Sequence, residues 1–230
     1  MVILLEELVR KRQYRRETLF LAVSLADRYL VTLTVARRPA PCLVNLAVTC
    51  LLIAAKLNQP LRPKFDLMNR LLQQDYDVSV QTEDFLALER AVLNALQFDL
   101  QFVSPLLFLD RYQRIFGLDL ESTDSDSAKV GGLARDFCLF MQREASFLQY
   151  RPSQVAASAL VLAVRTHFFR HASQKQQHGR NAKSERDLAL RMWTPEIEAM
   201  TALTVRDDIK PLYRQLESKV RQASSAPHAV

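Results

Sequence analysis

The amino-acid sequence predicts an all-α protein built from two tandem units of five helices each. Hydrophobic residues make up 49% of the 230 residues and only 4 are glycine, so little of the chain suits tight β-hairpin turns. Two runs, 43–56 and 152–169, are apolar nearly all round, and such helices are normally buried at the centre of a bundle. Their matching places in the two halves indicate an architectural repeat.

The first unit is predicted at residues 1–103. Its helices are a first carrying Leu4, Leu5 and Leu8, a second from about Glu17 to residue 36, a central one from Leu43 to Lys56, a short one from Phe65 to Leu72, and a fifth from about Glu83 to Gln97 capped by Thr82. Prolines on both sides of the central helix favour these ends. Because Met1 stands directly at a helical pattern, we expect the first helix to be truncated at its N-terminus.

The second unit is predicted at residues 104–219. It opens with Ser104 as N-cap and Pro105 at the first helical position, a common start for a helix. Beyond that start we predict a helix from Leu106 to Phe116, an acidic, hydroxyl-rich loop at 118–129, a helix at 131–146, a central helix from Pro152, a basic insertion at 170–186, short helices at Pro195 and Val205, and a flexible tail at 220–230.

The charge balance does not mark out one cationic half. Lys and Arg outnumber Asp and Glu by 31 to 25. Up to Leu100 the counts are 13 and 11, and beyond it they are 18 and 14, so the excess is spread over both units. Nucleic acid is therefore disfavoured as a partner.

The three cysteines, Cys42, Cys50 and Cys138, lack the spacing of a redox pair and stand among apolar residues, which predicts small buried side chains. We therefore expect a reducing compartment, the nucleus, the cytoplasm or both. The apolar run 43–55 is too short to span a bilayer, and the N-terminus lacks a secretion signal, so no membrane association is predicted.

The chain has no GxGxxG, GxxxxGK[ST], HExxH or GxSxG pattern. His167 and His171 stand four apart on a predicted helix, with His178 beyond, and this spacing can bring two imidazoles to one metal. Because no cysteine or carboxylate completes the set, a solvated helix face is the favoured interpretation. The sequence predicts no catalytic residue, cofactor or metal.

Several segments, in order along the chain, resemble the cyclin family. The segment ETLFLAVSLADRYL, residues 17–30, looks like the second-helix signature of cyclins. The other blocks are LLIAAK ending at Lys56, LERAVLNALQFDL at 88–100, SPLLFLDRY at 104–112 and, less closely, FLQYRPSQVAASALVLA at 147–163. The resemblance implies two tandem cyclin boxes and a regulatory subunit that forms a heterodimer with a cyclin-dependent kinase.

By this resemblance, six residues of the first box are expected to contact the kinase. Lys56 and Glu89 match the charged pair of the family's kinase contact. The apolar surface beside them is matched by Ile53, Leu57, Leu93 and Phe98. From pattern alone, the favoured interpretation is that Lys56 is an ordinary cation at a helix C-terminus and Glu89 a solvated helix charge. It is the resemblance that favours the contact.

The sequence departs from the cyclin pattern in two places. Asn58 and Gln59 stand where many cyclins carry two acidic residues, which bears on the choice of kinase. The candidate substrate-docking patch has Leu4 in place of a tryptophan, a matching Leu43, and Val44 in place of a glutamine. The patch would therefore keep an apolar half for short basic-hydrophobic peptides without the polar clamp.

Two alternative functions stay open on the sequence. A DNA-binding protein of the transcription-factor-IIB type uses the same helical box, and the basic insertion 170–186 is its best support. A scaffold that binds a kinase without activating it is the other. The second-helix signature favours a cyclin that activates its kinase in cell-cycle control.

Overall fold

The computed structural model describes residues 1–118, 126–175 and 190–225, with the side chains of 168–175 excepted. The chain divides into two compact units, Met1–Ser104 and Pro105–Val230. The described residues form α-helices joined by turns and contain no strand. The prediction of an all-α protein is confirmed.

The first unit contains five helices. They are α1 (Val2–Lys11), α2 (Arg16–Val35), α3 (Leu43–Asn58), α4 (Phe65–Tyr76) and α5 (Thr82–Ala95). The central helix is α3, in which every residue from Leu46 to Ala55 is buried. It packs on α1, α2 and α5, and its apolar residues therefore meet neighbours on nearly every side. This burial fixes where α3 leaves the core, at Lys56.

The second unit repeats this plan with a second buried helix. Its helices are α6 (Pro105–Ile115), α7 (Asp126–Arg143), α8 (Pro152–Lys175), α9 (Pro195–Thr201) and α10 (Lys210–Ser225), with a 3₁₀ turn at Ala145–Phe147 and a π-helical turn at Val205–Ile209. The central helix is α8, which packs on α6, α7 and α10. Its residues from Val155 to Ala163 are buried.

Two polar clusters tie α8 to the end of its unit. Arg165 donates hydrogen bonds to the carboxylate of Glu217 and, at 2.9 Å, to the hydroxyl of Tyr213 on α10. The side chains of Arg165 and Glu217 are only 12% and 8% exposed. Near the start of α8, Asp208 Oδ1 accepts hydrogen bonds from Arg151 at 2.8 Å and Gln154 at 2.9 Å. Arg165 and Arg151 thus each have a carboxylate partner inside the unit.

Several predicted boundaries were wrong. The first helix after the acidic loop begins at Asp126 rather than 131, because acidic and hydroxyl residues are favoured in a first helical turn. The last helix runs through 210–225, beyond the tail predicted from 220, and Arg221 pairs with Glu217 one turn earlier at 2.6 Å. Residues 119–125 of the acidic loop and 226–230 of the tail lie outside the described residues.

Three capping or insertion predictions also change. Thr82 is the first residue of α5 rather than its cap, and the N-cap is Gln81 without a side-chain hydrogen bond. Ser104 precedes α6 as predicted, but its buried hydroxyl has no hydrogen-bond partner among the described residues. The first six residues of the insertion 170–186 continue α8, and 176–186 lie outside the described residues.

The cysteine and membrane predictions have mixed outcomes. Cys50 and Cys138 are buried, and burial raises the pKa of each thiol to about 12. Cys42 is exposed, contrary to prediction, because it is the N-cap of α3 and precedes the buried stretch. One described helix, α2, has the length and mean hydropathy, 1.4, of a membrane span, but 56% of that stretch is buried inside the protein, as in a core helix.

Candidate functional site

Lys56 marks the point at which the central helix leaves the core of the first unit. The ten residues before it are buried, and Lys56 itself is exposed in the last turn of α3. A cation is favourable there because the carbonyl ends of the helix carry partial negative charge. The change from buried apolar residues to a lysine therefore places one positive group at the edge of the bundle.

Lys56 forms an ion pair with Glu89 on α5. Its Nζ donates a hydrogen bond to Glu89 Oε1 at 2.5 Å, across 33 positions of the sequence. The lysine side chain is 35% exposed and the glutamate side chain 14%. Lys56 Nζ also lies 5.8 Å from the centroid of the Phe85 ring, within range of a cation–π interaction. The two predicted contact residues are thus brought together.

The four apolar residues predicted beside this pair differ in exposure. Leu57 is 54% exposed and Phe98 is 65% exposed, so each presents apolar surface to a partner. Leu93 is half-buried. Ile53 is only 3% exposed, and the prediction that it belongs to the exposed surface was wrong, because it lies one turn deeper in α3. Leu61, five positions after Lys56 in the sequence, is 81% exposed and was not among the predicted residues.

Phe98 is held outward by an unusual backbone. Gln97 and Phe98 both have φ near the left-handed region, 52° and 57°, where a bulky side chain is rarely found. The Phe98 N–H donates to the Leu93 carbonyl at 2.9 Å, and the next residue, Asp99, pairs with Arg28 of α2 at 3.0 Å. These contacts stabilise the strained turn. Strain of this kind is often found at functional surfaces. Neither of the two residues is a glycine or an asparagine, so the sequence does not indicate this turn.

The departure at Gln59 also has a structural role. Its amide nitrogen donates a hydrogen bond of 2.6 Å to the hydroxyl of Thr18, a fully buried residue of α2. A buried hydroxyl without a hydrogen-bond partner would destabilise the fold, so the bond from Gln59 stabilises the core of the first unit. Asn58 beside it is half-buried.

The candidate docking patch lies on two helices that pack together. Leu4 is on α1 and is half-buried, while Leu43 begins α3 and is 51% exposed. Val44, the next residue, is half-buried. Ile3, beside Leu4, is 67% exposed and extends the apolar surface. The substrate-docking role of these residues stays a prediction.

The histidine set can be described only at His167. Its Nε2 lies 3.0 Å from Asp126 Oδ1, and its side chain is 9% exposed, so the ring is held between α7 and α8 and is not on a solvated face as predicted. The side chains of His171 and His178 lie outside the described residues. Among the described residues, no group of three His, Cys, Asp or Glu side chains could hold a metal.

Comparison with known sequences matches each of the two units to a protein-family model. The family model "Cyclin, N-terminal domain" matches residues 1–101, and "Cyclin, C-terminal domain" matches residues 103–230. Among similar proteins, the "G2/mitotic-specific cyclin-B3" of Gallus gallus is 28% identical over 204 residues, covering 89% of this chain and 41% of that protein. The "G2/mitotic-specific cyclin cig2" of Schizosaccharomyces pombe is 33% identical over 153 residues, covering 65% and 33%. The chain spans less than half the length of these curated relatives.

Comparison with solved structures concerns the fold alone. A chain of the CAK complex of Chaetomium thermophilum, solved bound to ATP-gamma-S, matches with a TM-score of 0.57 at 16% identity. The match covers 99% of this chain and 77% of that chain. Because both family models match in order and together span nearly all of the sequence, the chain belongs to the cyclin family, with two tandem cyclin domains.

Proposed function

We propose that the chain binds and activates a cyclin-dependent serine/threonine kinase in cell-cycle control, acting as its regulatory subunit and catalysing no reaction itself. The observation that carries the proposal is the Lys56–Glu89 pair, which joins the last turn of α3 to the middle of α5, together with the exposure of Leu57 and Phe98. Its residues match those by which the family contacts a kinase. The cell-cycle role is supported by the mitotic names of the relatives.

The surface has the composition of a protein interface. Exposed apolar side chains such as Phe98 supply affinity when they are buried against a partner, and charged groups among them fix orientation. Kinase activation requires a lysine–glutamate ion pair in the kinase itself, which depends on the position of its αC helix. A rigid surface that holds this helix inward would activate the kinase without contributing a chemical group.

The proposal is tested by adding the purified chain to purified cyclin-dependent kinases and measuring phosphate transfer to a serine-containing peptide. We expect at least one kinase to be activated, and Phe98→Asp to abolish both the complex and the activation, because a buried unpaired charge is costly. The matched control is Val35→Asp, an 81% exposed apolar residue at the end of α2, which should activate normally. Activation by Phe98→Asp equal to the wild type would contradict the proposed surface.

A docking role for the second patch is proposed with it. Exposed Leu43 and Ile3 would hold the apolar side chains of short basic-hydrophobic peptides from substrates or inhibitors. Leu43→Ala should then raise the KM for substrates that carry such a segment and leave other peptides unaffected.

We also place the complex in the nucleus, the cytoplasm or both, a proposal that microscopy of the tagged protein would check. The DNA-binding alternative is not favoured, since the family models and relatives are those of cyclins.

A further inference from the structure

A second charged feature of the first unit lies in the turn between α1 and α2. Five cations occupy seven positions, Arg10, Lys11, Arg12, Arg15 and Arg16, out of the 13 counted up to Leu100. We name these five the basic turn. Arg10, Lys11, Arg15 and Arg16 are exposed, and Arg12 is half-buried. The small excess of positive charge in the first unit is therefore concentrated in this turn.

Two carboxylates near the basic turn already have partners. Asp75 of α4 pairs with Lys11 at 2.8 Å. Glu7 of α1 accepts a hydrogen bond from the Tyr76 hydroxyl, which raises the pKa of that tyrosine to about 12. Among the described residues, the guanidinium groups of Arg10 and Arg15 have no ion-pair partner. Their charges are therefore available to a ligand.

Arg12 adds a partly buried guanidinium to this surface. Its Nε–H is buried and lacks a hydrogen-bond partner in the part of the chain that the structure describes. Its guanidinium carbon lies 5.9 Å from the centroid of the Tyr14 ring, which holds the group over an aromatic face. A guanidinium held in this way is prepared for a planar or tetrahedral oxyanion, whose oxygens match the fork of N–H groups.

The size and surroundings of the basic turn favour a short ligand over a long polyanion. The turn covers seven residues, and Glu7, Glu17 and Asp75 stand close to it in sequence or space. A nucleic acid presents phosphates along its whole length and would meet these carboxylates. A polypeptide segment with a single phosphate can instead reach the arginines alone, as in other arginine clusters that recognise phosphorylated motifs.

We propose that the basic turn, residues 10–16, is a docking site for a phosphorylated acidic segment of a partner polypeptide. Arg10 and Arg15 supply the paired charges, and Arg12 supplies the held guanidinium. The site shares no residue with the Lys56–Glu89 surface and would not need the kinase in order to bind its ligand. It can therefore be tested on the chain alone.

The test is fluorescence anisotropy of the full chain with three probes, a labelled acidic peptide carrying one phosphoserine, the same peptide without phosphate, and a short duplex DNA. We expect the phosphopeptide to bind tightest, with an affinity that falls as salt rises. The double variant Arg10→Gln/Arg15→Gln should raise its Kd about tenfold or more, since hydrogen bonds to charged groups are lost. Arg10→Lys/Arg15→Lys should lose less, because charge remains without the fork.

The matched control is Arg37→Gln/Arg38→Gln, which removes two exposed arginines just after α2. It should leave the Kd unchanged. Because all four arginines are exposed, circular dichroism should show the same helicity and melting temperature for each variant. Equal binding of the two peptides, tighter binding of the DNA, or an equal loss in both glutamine variants would overturn the proposal.

Discussion

The central helices of the two units carry a cation at the same position but in different surroundings. Lys56 lies thirteen positions beyond the first residue of α3, and Arg165 lies thirteen positions beyond the first residue of α8. Each cation pairs with a glutamate on the last helix of its unit, Glu89 or Glu217. Arg165 is 12% exposed and Lys56 is 35% exposed. We call the less exposed pair, Arg165–Glu217, the closed pair, and the more exposed pair, Lys56–Glu89, the open pair.

This difference teaches how a repeated architecture can carry two roles. A buried pair such as Arg165–Glu217 must be satisfied within the fold, because a buried charge without a partner is strongly unfavourable. An open pair such as Lys56–Glu89 contributes little to folding and remains available to a partner. The exposed Leu57 and Phe98 beside the open pair provide the apolar area that an interface needs.

The largest expected effect is on the closed pair. Glu217→Ala should lower the free energy of unfolding by about 3 kcal/mol, because it leaves the Arg165 guanidinium buried without its carboxylate. Urea denaturation followed by circular dichroism measures this loss. The control is Glu144→Ala, which removes the 35% exposed partner of Lys219 and should cost less than about 1 kcal/mol. Equal losses in the two variants would contradict the distinction between closed and open pairs.

The next effect separates core from surface within the first unit. Ile53→Ala should lower the free energy of unfolding by about 2–3 kcal/mol, since it removes a side chain that is 3% exposed. Phe98→Ala, at 65% exposure, should change it by less than about 0.5 kcal/mol while weakening the kinase complex. Thermal unfolding measures the stability of both variants, and a binding assay measures their affinity for the kinase. A large stability loss from Phe98→Ala would place this ring in the core instead.

A smaller effect is expected at the start of α8 and depends on pH. Desolvation raises the pKa of Asp208, but hydrogen bonds from Thr204 and Gln154, together with the charge of Arg151, outweigh it and hold the pKa below its usual 3.8. A carboxyl with a lowered folded pKa stabilises the protein above its unfolded pKa, and this contribution is lost as pH falls through the folded pKa.

The difference in stability between the wild type and Asp208→Asn should therefore be greatest at neutral pH and shrink below about pH 4. Denaturation at a series of pH values measures it. The first unit has no such contact at the start of its central helix, because the N-cap of α3, Cys42, makes no side-chain hydrogen bond. A difference that stays constant down to pH 2 would show that the carboxylate charge has no part in this contact.

The arrangement of helices could be predicted from sequence better than the surface could. Apolar stripes and the all-round apolar runs placed α3 and α8 correctly, because burial imposes a period on the residues. The polar ends of α7 and α10 were missed, since polar residues suit both a first helical turn and a loop.

The candidate site was predicted by resemblance, and its geometry was not. Lys56 and Glu89 are 33 positions apart, so no local pattern shows that they pair. Ile53 and Leu57 are one turn apart on α3, yet one is buried and the other exposed because the core ends between them. The outward Phe98 depends on two left-handed residues, Gln97 and Phe98, that carry no turn signal.

A small effect on folding is also expected at the open pair. Lys56→Glu or Glu89→Lys should each cost about 1 kcal/mol or less, as for pairs near the surface. Each should nevertheless weaken the kinase complex sharply, because both groups would meet the partner.

The double variant Lys56→Glu/Glu89→Lys tests the central claim most directly. It restores an ion pair within the chain while reversing the charges that a partner would meet. Stability and kinase affinity are measured together on the wild type, the two single variants and the double variant. We predict that the double variant regains the stability of the wild type and remains as weak in kinase binding as the single variants. Recovery of kinase binding together with stability would show instead that the pair only holds α3 to α5.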